Sequence, residues 1–287
     1  MVHLQNRIKE KGISKGEISE SVILSKKSAL KKSLFEEDGE LHKKMDIFIQ
    51  KRIQELNRGE YHISIPGPAR MLIHMISIDF LNSNKSFDLE ILFNDFESYL
   101  KPINCLIGRK IERNLHGLLI SCGPDPYTEA YVGYVQLYRN GMIEAIDSSL
   151  LKPTTQLYGI RYTQPAKKIA MWSLEKDLIE SCGIYLRALE IIGATLPIFL
   201  YISFIHIKDY EISLVPYRSM GTFLFNKYSD PAKKDEIFLT SIKIDSFGIN
   251  FEEKLKSSFD ILWNVFNLPG SRNYDENGKF IYDLFER

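Results

Sequence analysis

The dipeptide Asn140-Gly141 constrains the fold of this chain more than any other feature of its sequence. It lies between two runs rich in Val, Ile, Leu and Tyr, within the segment Tyr131–Asp147 (YVGYVQLYRNGMIEAID). Asn and Gly tolerate best the positive φ angles of a type I′ turn, so the pattern predicts a β-hairpin with a two-residue loop.

The predicted loop also fixes which residues face each other across the hairpin. Arg139 is expected to pair with Met142, and Leu137 with Glu144. Each face of this ribbon then carries apolar side chains, so we expect both faces to be covered. The hairpin is therefore predicted to lie inside a sheet rather than at its edge.

Apolar periodicity along the rest of the chain predicts an α+β fold, with a mixed, mostly antiparallel sheet around the hairpin and about three packed helices. Helical spacing predicts helices over Asp38–Asn57 and Trp172–Ile192, and a third that begins at the N-cap Asn250. The segment Leu151–Lys168 contains Pro, Gly, Thr and Gln and predicts little regular structure. Short apolar runs predict buried strands at Ala69–Asp79, Leu115–Ser121 and Pro197–Ile207.

The composition is that of a globular protein, with 44% hydrophobic residues and a formal net charge of zero over 287 residues. A globally basic nucleic-acid-binding surface is excluded, although a local patch is not. No apolar run is long enough to cross a bilayer, and the N-terminus lacks an apolar leader, so we expect no membrane association and a cytoplasmic location. The cysteines are odd in number, widely spaced and set among apolar residues, which predicts buried free thiols in a reducing compartment at Cys105, Cys122 and Cys182.

Residues 1–37 are predicted to form a basic N-terminal arm, and residues 38–287 a single α+β domain. The densest positive charge in the arm comes from Lys26, Lys27, Lys31 and Lys32. One interpretation is an arm that contacts nucleic acid or an acidic partner. The alternative, a solvated and partly helical leader, is favoured because no aromatic residue is interleaved with the lysines.

Motifs for chemistry are scarce, and we predict neither a cofactor nor a bound metal. The sequence has no Gly-rich phosphate loop, no pair of residues with zinc spacing and no nucleophile elbow. Four carboxylates lie near the hairpin and leave open a metal-dependent nuclease, in which they would hold Mg²⁺. The lysine that such a site needs is missing, so structural roles are favoured for Asp125, Glu129, Glu144 and Asp147.

Several stretches resemble the region that follows the Schlafen-type AlbA-like DNA-binding domain in bacterial proteins often labelled ATP-binding. The hairpin sequence YVQLYRNGMIEA is the most similar of these, and His116 occupies a position where that region usually has Asp. The resemblance implies an interaction or regulatory role next to a nucleic-acid-associated partner, and it covers about residues 40–287 without the AlbA-like domain itself. The similar stretches are Ala69–Ile78, Arg113–Leu119, Tyr134–Ala145 and Leu262–Phe280.

The function we expect is therefore a non-enzymatic interaction module with a protein partner, in a setting such as prokaryotic defence. Direct nucleic-acid binding through the basic arm and the nuclease described above are the alternatives. Recognition residues concentrate on loops and turns, which singles out Arg109, Arg113, His116, Arg139 and Asn140. A purely local role for these residues, in satisfying backbone groups or forming turns, is also open.

Overall fold

The computed structural model of the protein describes residues 20–67, 69–82, 84–106, 108–124, 129–157, 160–213, 217–219, 222–224 and 229–283. Side chains are described over the same residues except 20–38, 160, 217–219 and 222–224. The chain divides into two compact units, residues 1–51 and residues 52–287.

Helix α1 (Glu20–Asn57) begins in the first unit and ends in the second. It contains the predicted helix Asp38–Asn57 and extends it toward the N-terminus, because Leu, Lys, Glu and Ala upstream are good helix formers. The predicted boundary after residue 37 therefore lies within α1. Four basic residues of the predicted arm lie on this helix, with side chains that fall outside the described residues: Lys26, Lys27, Lys31 and Lys32.

The remaining helices are α2 (Glu90–Phe93), α3 (Phe96–Tyr99), α4 (Met171–Ile191) and α5 (Phe251–Val265). The strands, in chain order, are β1 (Arg70–Ser77), β2 (Arg109–Arg113), β3 (Gly117–Cys122), β4 (Gly133–Tyr138), β5 (Met142–Asp147), β6 (Thr154–Leu157), β7 (Ile160–Ala166), β8 (Lys168–Ala170), β9 (Ile198–Ile205), β10 (Glu211–Ser213), β11 (Tyr217–Ser219), β12 (Thr222–Leu224), β13 (Glu236–Phe238) and β14 (Ile242–Ile244). No described helix combines the length and the apolar character needed to cross a membrane.

The second unit is organised around one eight-stranded sheet in the order β13-β9-β1-β5-β4-β3-β2, with β14 also paired to β9. Every pairing within it is antiparallel. The hairpin β4–β5 lies in the interior of this order, between β1 and β3. The predicted α+β class and the central position of the hairpin are therefore confirmed.

The register of the hairpin differs by one residue from the prediction. Gln136 faces Glu144 and Leu137 faces Ile143, so the loop contains three residues rather than two. Gly141 N donates to Tyr138 O at 3.1 Å, and Gly141 has a φ of 82°. This geometry is a turn followed by a left-handed glycine, the usual form of a three-residue hairpin loop. The shift changes the partner of Glu144 from an apolar side chain to a polar one.

One face of the sheet is covered by α4 and α5. Alternate strand residues such as Ile73, Val135 and Ile143 belong to a single hydrophobic core with Leu178 and Phe259 of these helices. The helical apolar stripe predicted for α4 packs on the sheet, as the order strand-helix-strand requires. The predicted N-cap of α5 is also confirmed, since the Asn250 side chain accepts from the backbone N–H of Glu252.

Two other predictions are wrong. The segment Leu151–Lys168 contains β6, β7 and the start of β8, because its Thr, Ile, Tyr and Gln residues form a local hairpin despite the prolines. Cys105 and Cys122 form a disulfide rather than two free thiols. The chain path brings their Cα atoms to 5.6 Å although they lie 17 residues apart, which spacing in sequence does not reveal. Cys182 is a free, buried thiol, as predicted.

Candidate functional site

A row of polar side chains crosses the middle of the sheet on the face opposite to α4 and α5. His74 on β1 faces Glu144 on β5, which faces Gln136 on β4. All three are fully buried, although their neighbours along each strand are apolar. A polar group removed from water destabilises the fold unless it has hydrogen-bond partners, so these residues require a matching set of donors and acceptors.

The Glu144 carboxylate receives four hydrogen bonds. The Arg52 guanidinium binds it in a bidentate manner, from Nε to Oε2 at 2.7 Å and from Nη2 to Oε1 at 3.0 Å. His74 Nε2 lies 3.0 Å from Oε2, and the Tyr134 hydroxyl donates to Oε1 at 2.8 Å. We refer to Arg52, His74, Tyr134 and Glu144 as the carboxylate network.

The network keeps Glu144 ionised inside the protein. Burial alone would raise the pKa of this carboxyl, but the hydrogen bonds and charges of His74 and Arg52 hold its pKa well below the ordinary value. Burial and the Glu144 charge raise the pKa of the Tyr134 hydroxyl well above its usual range, so Tyr134 remains a neutral donor. With its lone pairs occupied and its proton affinity low, Glu144 is a poor general base.

Tyr134 of the network and three further aromatic rings form a series of contacts that leads from Glu144 to the surface. The His62 ring is 5.4 Å from that of His116, and 5.6 Å from each of Tyr134 and Tyr138, centroid to centroid. The rings of His116 and Tyr138 are 5.8 Å apart. Tyr134 is buried, His62 and Tyr138 are half-buried, and His116 is exposed. We call His62, His116, Tyr134 and Tyr138 the ring cluster.

His62 connects the ring cluster to the carboxylate network. Its Nε2 is 2.7 Å from the Tyr138 hydroxyl and 4.0 Å from Glu144 Oε1. Burial lowers the pKa of His62, and the charges of Arg52 and His116 lower it further, against the opposing effect of Glu144. A neutral imidazole can accept the Tyr138 hydroxyl proton in a hydrogen bond, which fixes both rings.

Two neighbouring turns carry the exposed part of the cluster. Arg139 N donates to His116 O at 2.9 Å, which links the β4–β5 turn to the β2–β3 turn. The Asn114 side chain accepts from the backbone N–H groups of His116 and Gly117, each at 2.9 Å, and donates to Gln136 at 2.6 Å. The His116 and Arg139 side chains are both exposed at this end of the sheet.

The structure brings together some of the predicted binding residues and separates others. His116, Arg139 and Asn140 lie on the two linked turns, whereas Arg109 begins β2 at its far end. Arg113 forms a bidentate ion pair with Glu90, at 2.9 and 2.7 Å, and lies over the ring of Phe93. The local role that we left open for Arg113 is therefore observed. Asn140 occupies the third position of the four-residue turn Tyr138–Gly141.

Two of the carboxylates of the nuclease alternative, Glu144 and Asp147, do not converge. Glu144 and Asp147 are three residues apart on β5, so their side chains lie on opposite faces of the sheet. Glu129 is exposed, and Asp125 lies outside the described residues. Over the described part of the chain, no three His, Cys, Asp or Glu side chains converge as a metal site would require.

Sequence reasoning missed Arg52 and His62. Arg52 lies 92 positions from Glu144, so no local pattern connects the two residues. A signal was nevertheless present, because Arg52 lies three residues after Ile49 and four before Leu56, next to the apolar stripe of its helix. A charge next to an apolar stripe, together with a carboxylate inside an apolar strand, indicates a buried ion pair.

Comparison with known proteins gives no match to a protein-family model, to a curated protein or to a solved structure.

Proposed function

We propose that this protein is a non-enzymatic recognition module, and that the exposed edge of the ring cluster together with Arg139 binds a protein partner. The observation that carries the proposal is the placement of the exposed His116 ring on His62 and Tyr138, which are hydrogen-bonded to each other and lie against the buried Tyr134 ring or the Glu144 carboxylate. Rings held in place by buried hydrogen bonds lose little entropy on binding, which is the property of a preorganised contact surface.

The chemistry of the site favours binding over catalysis. The Glu144 carboxylate already accepts four hydrogen bonds, and the raised pKa of the Tyr138 hydroxyl, caused mainly by burial, keeps it from acting as a nucleophile. An aromatic surface beside an exposed arginine has the composition that is enriched at the centre of protein interfaces. These properties support contact with another molecule rather than its conversion.

The class of partner is inferred from the resemblance of the sequence. The region after the AlbA-like domain in the bacterial proteins described above works beside a nucleic-acid-associated part, and the hairpin that carries Arg139 is the stretch most similar to it. We therefore propose a partner that is itself associated with nucleic acid, in a setting such as prokaryotic defence.

The test is affinity capture of the full chain from its native host, with the captured proteins quantified by mass spectrometry. The double variant His116→Asn/Arg139→Gln changes two exposed side chains of the proposed surface. We expect the double variant to capture at least about tenfold less of a partner that binds the wild type, which corresponds to a loss of about 1.4 kcal/mol of binding free energy. Nuclease treatment of the lysate is expected to leave the protein partner bound.

The matched control is His206→Asn/Arg187→Gln, with the same substitutions at a partly exposed histidine and an exposed arginine outside the ring cluster. The control is expected to capture the partner as the wild type does. Equal capture by both double variants, or loss of all captured protein after nuclease treatment, would contradict the proposal.

A further inference from the structure

Strand β2 forms one edge of the eight-stranded sheet, since β3 is its neighbour and no other described strand pairs with it. Gly123 N donates to Gly108 O and Asn114 N donates to Gly117 O, each at 2.9 Å, at the two ends of the β2–β3 pairing. Backbone groups in an antiparallel strand alternate in direction. The backbone groups of Arg109, Ile111 and Arg113 therefore point away from β3, toward the open edge.

An open edge is a template for another strand, and proteins usually protect it with charges that repel a partner. The sequence of β2, RKIER, lacks that protection because its charges are self-complementary. When two copies of β2 pair antiparallel about Ile111, Lys110 of each copy lies opposite Glu112 of the other. A shift of the register by two residues in one direction places Lys110 of one copy opposite Lys110 of the other. The same shift in the other direction places Glu112 opposite Glu112, so both shifts bring like charges together.

The remaining like charges in this register are already compensated. Arg109 of one copy lies opposite Arg113 of the other, and Arg113 is neutralised by its bidentate ion pair with Glu90. Lys110 and Glu112 form an ion pair with each other within β2 and retain 58% and 41% exposure of their side chains, so dimerisation would exchange the ion pair within each chain for ion pairs between the chains. Opposite charges that face each other directly across two strands stabilise the pairing, and like charges destabilise it.

We propose that β2 pairs antiparallel with β2 of a second copy of this chain, about a twofold axis at Ile111, and so joins two sheets into one. This self-association goes beyond the partner binding proposed above and uses a different part of the molecule. A closed twofold interface needs one self-complementary patch, which β2 supplies. Five paired residues make a small interface, so the dimer is expected to form reversibly with concentration.

Charge exchange across the interface tests the proposal on the full chain by sedimentation equilibrium. The wild type should approach twice its monomer mass of 33.3 kDa as concentration rises. Lys110→Glu alone places Glu opposite Glu, and Glu112→Lys alone places Lys opposite Lys, so each variant should self-associate at least about tenfold more weakly. An equimolar mixture of the two variants restores both opposite-charge pairs and should dimerise as the wild type does.

The double variant Lys110→Glu/Glu112→Lys is the matched control, because it exchanges the charges and keeps them complementary, and it should dimerise normally. Far-ultraviolet circular dichroism confirms that each variant is folded, as exposed substitutions predict. A wild type that stays monomeric would overturn the proposal. A dimer that survives both single reversals, or single variants that fail to associate when mixed, would overturn it as well.

Discussion

Glu144 shows at the scale of a single residue how burial and charge determine what a side chain can do. Its carboxylate has no exposed surface, while its partner Arg52 retains 12% exposure of its side chain. The pair is held by hydrogen bonds from two further residues, so the energetic penalty of removing charge from water is compensated within the sheet. Of the four rings in the ring cluster, Tyr134 is the one whose hydroxyl donates directly to Glu144, at 2.8 Å.

Replacement of Glu144 by Gln is expected to lower the free energy of unfolding by about 3–5 kcal/mol. The amide has the same shape, but the largely buried Arg52 guanidinium then keeps only Glu55, at 3.1 Å, as a counter-charge. Urea unfolding at neutral pH measures the change. Glu90→Gln removes the exposed ion pair with Arg113 and is the control, with little change expected because water screens that pair. Equal effects of the two substitutions would contradict the account of the network.

Asp147 illustrates the opposite case on the other face of β5. Burial raises the pKa of its carboxyl to about 7, despite hydrogen bonds from the Leu150 backbone N–H and the Ser149 hydroxyl that lower it. The nearby carboxyl of Asp177 has a pKa raised to about 6, again mainly by burial. Asp147 therefore favours its protonated form in the folded protein at mildly acidic pH.

Because the folded pKa of Asp147 exceeds its unfolded value of 3.8, folding takes up a proton between pH 4 and 7. Stability should therefore fall as pH rises through this window, by up to about 1.4 kcal/mol per pH unit from this group. Asp147→Asn is expected to remove that contribution. The stability of the variant relative to the wild type should therefore be higher at pH 8 than at pH 5. Urea unfolding at several pH values measures the slope, and an unchanged slope in the variant would contradict the assignment.

The hairpin β4–β5 is the element on which the rest of the sheet depends. Its three-residue loop places Gln136 opposite Glu144 and so sets the polar row across the sheet. Gly141 makes the loop possible, since its φ is 82° and a Cβ atom there would lie 2.8 Å from a ring carbon of Phe87. Both the backbone angle and the close contact exclude a side chain at this position.

Gly141→Ala is expected to destabilise the protein by about 1–3 kcal/mol, through the left-handed backbone and the contact with Phe87. Gly183→Ala is the matched control, because Gly183 lies within α4 and a Cβ there meets no atom within 4 Å. That substitution should stabilise the helix by about 0.5–1 kcal/mol. Thermal or urea unfolding of both variants checks the opposite signs, and a neutral Gly141→Ala would argue against this loop geometry.

Removal of the disulfide by Cys105→Ser/Cys122→Ser is expected to lower stability by about 2–4 kcal/mol, because the crosslink restricts the unfolded chain. Unfolding of the wild type with and without a dithiol reductant supplies the comparison, with the double variant insensitive to the reductant. If the wild type is also insensitive, the two cysteines are not crosslinked in solution.

The elements were predictable where the chain repeats one pattern over a long segment. The apolar stripe of α4 and the continuous apolar run of β9 determine helix and buried strand without further information. The hairpin was predictable from Asn140-Gly141, but its register was not. The same dipeptide fits a two-residue or a three-residue loop. In the observed three-residue loop, Phe87 N donates to Arg139 O at 2.8 Å, a contact with a distant segment that the hairpin sequence does not reveal.

The site was predictable in part, for the same physical reason. His116 and Arg139 were expected on loops or turns, because that property depends on neighbours in sequence. Arg52 and the Cys105–Cys122 crosslink depend on which distant segments meet, and this is decided by the packing of the whole sheet.

At the scale of the whole molecule, the eight-stranded sheet carries the carboxylate network, two turns of the ring cluster and the edge strand β2. The carboxylate network lies at its centre, the ring cluster at the end formed by two linked turns, and β2 at its edge. The proposed partner surface lies on the turns that carry His116 and Arg139, and the proposed self-association uses the edge of β2, which leads into the first of these turns. We expect the charge reversals in β2 to change the oligomeric state without abolishing capture of the partner, because Lys110 and Glu112 do not belong to the ring cluster.

The most direct test of the central claim places a photo-crosslinking amino acid at position 116 of the full chain, in the native host. The same amino acid at position 206 is the control, since both residues are surface histidines outside the interior of the sheet. The account predicts a discrete protein adduct from position 116 and none of the same identity from position 206. No adduct at position 116, the same adduct at both positions, or a nucleic acid in place of a protein would contradict it.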